Sequence, residues 1–261
     1  SNWVWGGVCA DDAHKGSDPG DQPDIVALMT WSESSTNSYN EAKWQTCYDG
    51  VQRSNEVLRV MRLAKDIDPV DTVEFSAEAR FLRGHYMFEL KKIFNNIPII
   101  DESITYTLGN WRVENTSDAW PFIEADFKYA FDNLPGTQSE VGRANKYAAE
   151  AYLAKAYMFE HKYSDALPLL NDLISNGTNA AGVKYKLVDK FNDNFNAATK
   201  NNSETVFAVQ NSVNDGSTAA NANAGDVLNF SYDPSAPVSC CGFYQPSFSL
   251  ANAFKTDPVT G

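Results

Sequence analysis

Apolar residues recur with helical spacing through the middle of the chain, and this pattern predicts five helices. Pro98, Pro135 and Gly177 follow three of these stretches and mark their ends, because proline and glycine both interrupt helices. The predicted helices run from about residue 40 to residue 62 and over residues 73–94, 117–134, 143–160 and 164–175.

The second predicted helix carries two apolar stripes. Phe81, Gly84 and Phe88 form one, and the other consists of Ala79, Leu82, Tyr86, Leu90 and Ile93. Two stripes indicate contacts on two sides, as in a helix inside a stack. Gly84 predicts the close approach of a neighbouring helix, since glycine otherwise costs a helix about 1 kcal/mol.

Part of this helix occurs twice along the chain. Its Ala-Glu-Ala at residues 77–79 returns 72 residues later at 149–151, and Tyr-Met-Phe-Glu follows each copy. This separation is about two periods of the tetratricopeptide repeat, roughly 34 residues each. The last helix pair also has small and large residues at tetratricopeptide packing positions, namely Ala154, Tyr157, Ala166 and Leu170. We therefore predict a mainly all-α fold, a tetratricopeptide-like superhelix of helical hairpins with long ordered loops and little strand.

Composition divides the chain into three segments. Residues 1–40 are loop-rich, residues 41–176 contain the helical repeats, and residues 177–261 are again loop-rich. Within the last segment, residues 204–211 suit either one short strand or an extended arm. Residues 230–248 combine aromatics, prolines and small residues, which is typical of an ordered loop.

The acidic composition narrows the choice of partners. A net charge of −13 repels phosphate backbones, so no nucleic-acid partner is expected. No apolar run approaches the roughly 18 residues that a membrane span needs. The chain opens with SNWVWGG, without an initiator Met, a signal peptide or a lipid-attachment cysteine, and closes with FKTDPVTG. We expect a fragment or a processed product.

Neither the cysteines nor the acidic loop defines a metal site by its spacing. The four cysteines match neither a zinc site nor a redox CxxC, and are expected as small buried side chains or one long-range bridge. Residues 11–24 contain five aspartates among glycines and prolines, but not in EF-hand order. A solvated acidic loop and a calcium loop are both open, since Ca²⁺ takes clustered carboxylates and carbonyls. The candidate calcium ligands are Asp11, Asp12, Asp18 and Asp21.

Residues 76–100, SAEARFLRGHYMFELKKIFNNIPII, resemble the signature of the SusD/RagB family of outer-membrane nutrient-binding lipoproteins of Bacteroidetes. The helix with Trp44, Tyr48 and Asn55 is also similar to a family helix. Further similar segments are residues 122–135, 143–170 and 253–257. The chain departs from the family in having Asn95-Asn96 where a Gly-Asp turn is usual, about half the family's length, and no lipoprotein signal.

The resemblance implies a non-catalytic protein that binds oligosaccharides or polysaccharides at the cell surface. It implies delivery of the ligand to a SusC-like, TonB-dependent outer-membrane transporter. It also implies a lipid anchor through an N-terminal segment absent from this chain. Residues 177–261 would lead into a missing C-terminal half. No cofactor is expected apart from the calcium considered above.

A glycan site needs aromatic planes for the CH faces of sugars, and amide or carboxyl groups for the hydroxyls. Two loop segments have this composition, and the first falls where the family's N-terminal binding residues commonly lie. The candidate glycan-binding residues are Trp31, Asn37, Tyr39, Asn40, Tyr232, Phe243, Tyr244 and Gln245, with further carboxylates from Asp11 and Asp12. Packing beneath a loop is the alternative for each aromatic. Arg80 and Arg83 are expected to make structural hydrogen bonds.

Two other functions are open. A tetratricopeptide scaffold for protein partners would carry its exposed aromatics in the groove of the helices, whereas a glycan binder would carry them on loops. A glycoside hydrolase needs two carboxyl groups about 5–9.5 Å apart, and no motif here places such a pair. His14, His85 and His161 have no Ser or Cys partner by motif.

Overall fold

The computed structural model describes residues 3–211, 228, 233, 235, 241–254 and 256. Helices dominate these residues and the two strands have three residues each, so the predicted mainly helical fold with little strand is confirmed. In chain order the elements are β1 Ala13–Lys15, α1 Pro23–Met29, α2 Ser38–Leu63, α3 Pro69–Phe94, α4 Trp120–Asn133, α5 Lys146–Phe159, α6 Tyr163–Asn176, β2 Tyr244–Pro246 and α7 Phe248–Ala253.

The chain forms two compact units. The helical unit is Thr46–Gln210, and the second unit, here called the terminal unit, combines Ser1–Gln45 with Asn211–Gly261. This division differs from the three segments suggested by composition. The loop-rich beginning and end of the chain contribute to one unit, and the helical unit continues beyond the last predicted helix.

In the helical unit, α3, α4, α5 and α6 pack one on the next in chain order. Their shared core is aromatic, with the ring centroid of Phe81 5.9 Å from that of Phe127 and 5.1 Å from that of Tyr152. Gly84 lets α4 approach α3, since a Cβ at this position would lie 2.9 Å from Cε1 of Phe127. The close helix approach predicted for Gly84 is confirmed.

Capping residues explain where two of these helices begin. Asp68 accepts a hydrogen bond from the backbone nitrogen of Val70 at 2.8 Å, and Pro69 lies in the first turn of α3. The residue pattern predicts a start near residue 73, because proline usually marks a break between helices. In the first turn, however, a missing N–H removes no helical hydrogen bond. Asn145 caps α5 by accepting from the backbone nitrogen of Ala148 at 2.9 Å.

A buried arginine, Arg83 of α3, joins three parts of the helical unit. Its guanidinium donates to both carboxylate oxygens of the fully buried Asp126 in α4, at 2.7 and 2.8 Å. Nη1 donates to Oδ1 of Asn55 in α2 at 2.8 Å, and to Oε2 of Glu102 in the loop after α3 at 2.6 Å. Arg80 also donates to Asp126, at 2.7 Å. The structural hydrogen bonds expected for Arg80 and Arg83 are confirmed.

The terminal unit is built from short elements that the hydrophobic pattern does not reveal. β1 pairs antiparallel with β2, and His14 stands opposite Gln245, so segments 231 residues apart in the chain meet. A π-helix at Val4–Val8 and helix α1 pack with β1. The buried core consists of Val4, Val8, Ala13, Ile25 and Leu28. The expectation of a loop-rich segment at residues 1–40 misses these elements, because three to seven residues are too few to show periodicity.

After α6 the helical unit continues without long helices. The turns of 3-10 helix in this part are Phe191–Phe195 and Ala197–Thr199. No strand lies within residues 204–211, where the sequence allows one. Among the described residues, no helix combines the length and apolarity needed to cross a bilayer.

The cysteines fall into two groups. Cys9 and Cys47 are thiols, and Cys241 is disulfide-bonded. Cys240 lies outside the described residues. Burial, and secondarily the charge of Glu33, raise the pKa of Cys9.

Glu150 of α5 is a carboxyl group whose ionisation opposes folding. It is 1% exposed, and within the described part of the chain its Oε2 has no hydrogen-bond partner. Burial, followed by the charge of Asp172, raises its pKa to about 7 from 4.5, while Lys146 acts in the opposite direction. The folded state therefore binds this proton more tightly than the unfolded state does. The resulting stabilisation is complete below pH 4.5 and is lost as the pH rises through about 7.

We expect Glu150→Gln to raise the free energy of unfolding by about 1–2 kcal/mol at pH 8 and to leave it nearly unchanged at pH 4. Glutamine removes the charge and keeps a group that can donate to Asp172. Urea unfolding at both pH values measures the difference. The exposed Glu114→Gln serves as the control and should shift stability by less than about 0.5 kcal/mol. An equal effect of Glu150→Gln at both pH values would contradict the titration argument.

Candidate carbohydrate-binding surface

Trp31 presents its ring to solvent from the turn after α1. The side chain is 78% exposed, and its Nε1 donates to the backbone oxygen of Cys9 at 2.9 Å. Its backbone adopts a φ of 54°, a left-handed conformation that costs a non-glycine residue roughly 1–2 kcal/mol. The backbone nitrogen donates to the oxygen of Leu28 at 3.3 Å, which holds this turn on the end of α1. One edge of the indole is anchored while its faces remain available for stacking.

Tyr39 and Asn40 lie at the start of α2, where both contact Trp5. The rings of Tyr39 and Trp5 meet edge to face at 6.3 Å, and Trp5 Nε1 donates to Asn40 Oδ1 at 3.1 Å. The Tyr39 hydroxyl donates to Oε1 of Gln22 at 2.8 Å. Burial, and then the charges of two aspartates, raise the pKa of Tyr39, so its phenol stays neutral and can donate. Both side chains are half-buried.

Asn37 lies beneath this surface. It is 6% exposed, its Nδ2 donates to the backbone oxygen of Asp24 at 2.9 Å, and its Oδ1 accepts from the backbone nitrogen of Tyr39 at 3.0 Å. Both ends of the amide are used within the terminal unit. Asn37 therefore positions Tyr39 in this structure. Its residue type suggests direct contact with a ligand instead.

β2 and the residue before it supply the second group of predicted residues. The Phe243 ring lies 6.3 Å from that of Trp3, and Lys15 Nζ lies 5.9 Å from the Phe243 centroid. Tyr244 is half-buried against the core of the terminal unit and meets Trp3 edge to face at 6.2 Å. Gln245 is exposed. The remaining candidate, Tyr232, lies outside the described residues.

The structure adds Trp3 and Trp5, which are not among the residues predicted from sequence. Both pack against the core of the terminal unit and contact the predicted aromatics. The opening SNWVWGG places two tryptophans two residues apart, which is the only local signal for them. Their contacts indicate that they support the candidate side chains from below.

The four candidate calcium ligands are not gathered into a metal site. Asp18 Oδ1 accepts from the backbone nitrogen of Gly20 at 2.8 Å, and Asp21 Oδ2 accepts from the hydroxyl of Ser17 at 2.9 Å. The other two, Asp11 and Asp12, are exposed. Within the described ranges, no group of three or more His, Cys, Asp or Glu side chains could hold a metal ion.

The geometry defines a class of protein: a tetratricopeptide-like helical array joined to a unit with a solvent-facing tryptophan. A family model described as "Starch-binding associating with outer membrane" matches residues 22–158, more than half of the chain. The chain belongs to this SusD-like family.

Two relatives show the extent of the sequence similarity. A SusD-like protein of Bacteroides ovatus is 24% identical over 238 residues, which cover 87% of this chain and 43% of that protein. SusD-like protein P2 of Formosa agariphila is 26% identical over 176 residues, which cover 66% of this chain and 34% of that protein. The chain thus spans less than half the length of either relative.

Solved structures share the fold. A laminarin binding SusD-like protein superposes with a TM-score of 0.80 at 23% identity, covering 95% of this chain and 57% of that one. Surface glycan-binding protein A from Bacteroides thetaiotaomicron, in complex with laminarihexaose, has a TM-score of 0.75 at 17% identity, covering 97% and 55%. At these identities the similarity shows the fold alone.

Proposed function

We propose that this chain is part of a non-catalytic cell-surface protein that binds oligosaccharides or polysaccharides. The observation that carries this proposal is the exposure of Trp31. This residue is 78% exposed, and its indole nitrogen donates a hydrogen bond to the backbone oxygen of Cys9. An aromatic plane held in water can stack on a ligand that has an apolar face, and sugars have such faces. Two structural relatives are described as binding laminarin or laminarihexaose, which supports a carbohydrate ligand.

The same protein would pass its ligand to a SusC-like, TonB-dependent transporter, facing outward from the outer membrane on a lipid anchor. The family description, which combines starch binding with association to the outer membrane, supports this location. The disulfide of Cys241 is also typical of an oxidising compartment outside the cytoplasm. Co-purification of a barrel transporter with the tagged protein from outer membranes tests this part of the proposal.

We expect Trp31→Ala to weaken glycan binding by about 1–3 kcal/mol, the range for a central anchor side chain. Affinity electrophoresis in gels with laminarin and a panel of other polysaccharides measures the effect. Trp31→Phe keeps a stacking face and should retain much of the affinity. Phe254→Ala removes another ring of the terminal unit, 70% exposed, and should change nothing. If Trp31→Ala migrates as the wild type does in every gel that retards the wild type, the site assignment is wrong.

The exposed aromatics favour a glycan binder over a scaffold for protein partners. In the described part of the chain, no aromatic side chain on α2 to α6 is more than two-thirds exposed. The rings above that threshold lie in loops, short turns or α7, and are Trp31, Tyr106, Phe191, Phe195, Phe248 and Phe254. A scaffold that binds through its helical groove would show the opposite distribution.

Carboxyl groups with raised pKa values do not favour a hydrolase. Glu150 and Glu160 both have pKa values raised to about 7, chiefly by burial. Glu150 is 1% exposed within the packed repeats, where a polysaccharide cannot reach it. Glu160 forms an ion pair with Lys162, with Oε2 2.9 Å from Nζ. Release of reducing ends from any polysaccharide that the protein binds would overturn the non-catalytic assignment.

A further inference from the structure

The loop between α3 and α4 carries a second exposed aromatic surface, here called the aromatic loop, at residues 103–112. Tyr106 is 84% exposed and Trp111 is 46% exposed, and Leu108 between them is 70% exposed. The two ring centroids lie 5.7 Å apart, with planes inclined by 43°. These three side chains form an apolar projection on the helical unit, separate in the chain from the residues discussed above.

Hydrogen bonds within the aromatic loop fix its shape. Asn110 Oδ1 accepts from the backbone nitrogen of Thr105 at 2.8 Å, while Asn110 Nδ2 donates to the backbone oxygen of Ser103 at 3.0 Å. Thr105 Oγ1 accepts from the backbone nitrogen of Leu108 at 3.2 Å. Gly109 adopts a φ of 69°, which a residue with a side chain rarely takes. The polar side chains therefore shape the loop and leave the rings in solvent.

Arginines of α2 and α3 fix the base of the same loop. Arg59 donates to the backbone oxygens of Glu102 and Ile104, at 2.8 and 2.9 Å. The carboxylate of Glu102 accepts from Arg83 at 2.6 Å and from Arg62 at 2.9 Å. The aromatic loop thus begins next to Glu102, which hydrogen bonds attach to the buried Arg83. A side chain placed in advance loses little conformational entropy on binding.

Charge and chemistry indicate what this surface binds. The guanidinium carbon of Arg112 lies 5.0 Å from the ring centroid of Trp111, so donors for hydroxyl groups stand next to the rings. Inclined rings beside such donors match a sugar chain, which has apolar CH faces bordered by hydroxyls. The net charge of −13 disfavours a polyanion. A neutral polysaccharide satisfies all of these conditions.

We propose that the aromatic loop is a second stacking subsite, through which the helical unit binds a neutral polysaccharide. This inference rests on the proposed function and adds to it a site in a different unit. A polysaccharide repeats the same sugar face along its length. A second subsite therefore strengthens the retention of a polymer more than that of a short oligosaccharide, which occupies one site at a time.

Affinity electrophoresis of the whole chain tests this subsite, with laminarin as the first probe and a panel of neutral polysaccharides after it. We expect the double variant Tyr106→Ala/Trp111→Ala to lose about three- to tenfold in affinity for the polymer that retards the wild type. The double variant Tyr106→Phe/Trp111→Phe keeps both stacking faces and should stay within about twofold of the wild type. Tyr163→Ala, a tyrosine on α6 that is 55% exposed, is the matched control and should not change migration.

The possible results distinguish a failure of this subsite from a failure of the proposed function. If a polymer retards the wild type and the alanine double variant equally, the subsite is wrong and the proposed Trp31 site is unaffected. Equal losses of affinity in the alanine and phenylalanine double variants also overturn the subsite, since the phenylalanine variant keeps both stacking faces. Unchanged glycan binding with loss of a co-purifying barrel transporter would assign the loop to a protein partner instead. A wild type that no polysaccharide retards overturns the proposed function itself, together with this subsite.

Discussion

Replacing Arg83 with alanine is expected to lower the free energy of unfolding by about 3–5 kcal/mol, the range for breaking a buried ion pair by removing one partner. The carboxylate of Asp126 is fully buried and would lose two of the three hydrogen bonds it receives from Arg83 and Arg80. Asn55 and Glu102 would lose the same donor group. Urea unfolding followed by far-UV circular dichroism, which mainly reports the helical unit, measures the change.

Two further arginine variants separate this effect from the loss of any positive charge. Arg53 pairs with Asp49 on the surface, with side chains 80% and 61% exposed, so Arg53→Ala should cost less than about 1 kcal/mol. Arg83→Lys keeps the charge but cannot bind both carboxylate oxygens in a fork, and should therefore still be strongly destabilising. If Arg83→Ala costs no more than Arg53→Ala, the buried network does not stabilise the fold as described.

Phe81→Ala should lower the free energy of unfolding by a comparable 3–5 kcal/mol, because it leaves a cavity among packed rings. Phe81 is fully buried, and its ring lies 4.9 Å from that of Phe207, in addition to its contacts with Phe127 and Tyr152. The loss arises from packing and apolar burial, so it should be insensitive to salt and to pH between 5 and 8. Thermal and urea unfolding at low and high ionic strength measure both properties.

The neighbouring residue supplies a matched control for this substitution. Leu82 follows Phe81 on α3 but is 37% exposed, so Leu82→Ala removes an apolar side chain with much less buried area. We expect it to cost about 1 kcal/mol or less. If Phe81→Ala and Leu82→Ala lowered the free energy of unfolding by similar amounts, the assignment of the core to the Phe81 face of α3 would be wrong.

The helical unit could be predicted from sequence because its determinants are local. Stripes of apolar residues, a repeated Ala-Glu-Ala and helix-ending prolines identify α2 to α6 to within a few residues. The largest error, four residues at the start of α3, comes from Pro69, whose position in a first turn depends on the cap at Asp68. By contrast, β1 exists only because β2 lies beside it, and that partner is 231 residues away.

The candidate site could be predicted only in part, because residue type does not determine exposure. Trp31 and Asn37 both suit a glycan site by composition, yet one is 78% exposed and the other 6%. The difference follows from the turn after α1 and the cap of α2, which the pattern of residues 1–40 does not show. The residue pattern does not single out Tyr106 and Trp111, for a related reason. Their exposure depends on backbone hydrogen bonds accepted by Asn110 Oδ1 and Thr105 Oγ1, which no spacing rule encodes.

The pairing of β1 with β2 also sets an order of assembly. The helical unit is one continuous stretch of chain with contacts between successive helices, so it can fold early and quickly. The terminal unit can complete its core only after Tyr244 has been synthesised, since this residue packs on a core formed by residues within the first thirty of the chain. During synthesis the helical unit would therefore form first, and the terminal unit that carries Trp31 would form only after β2 had been made.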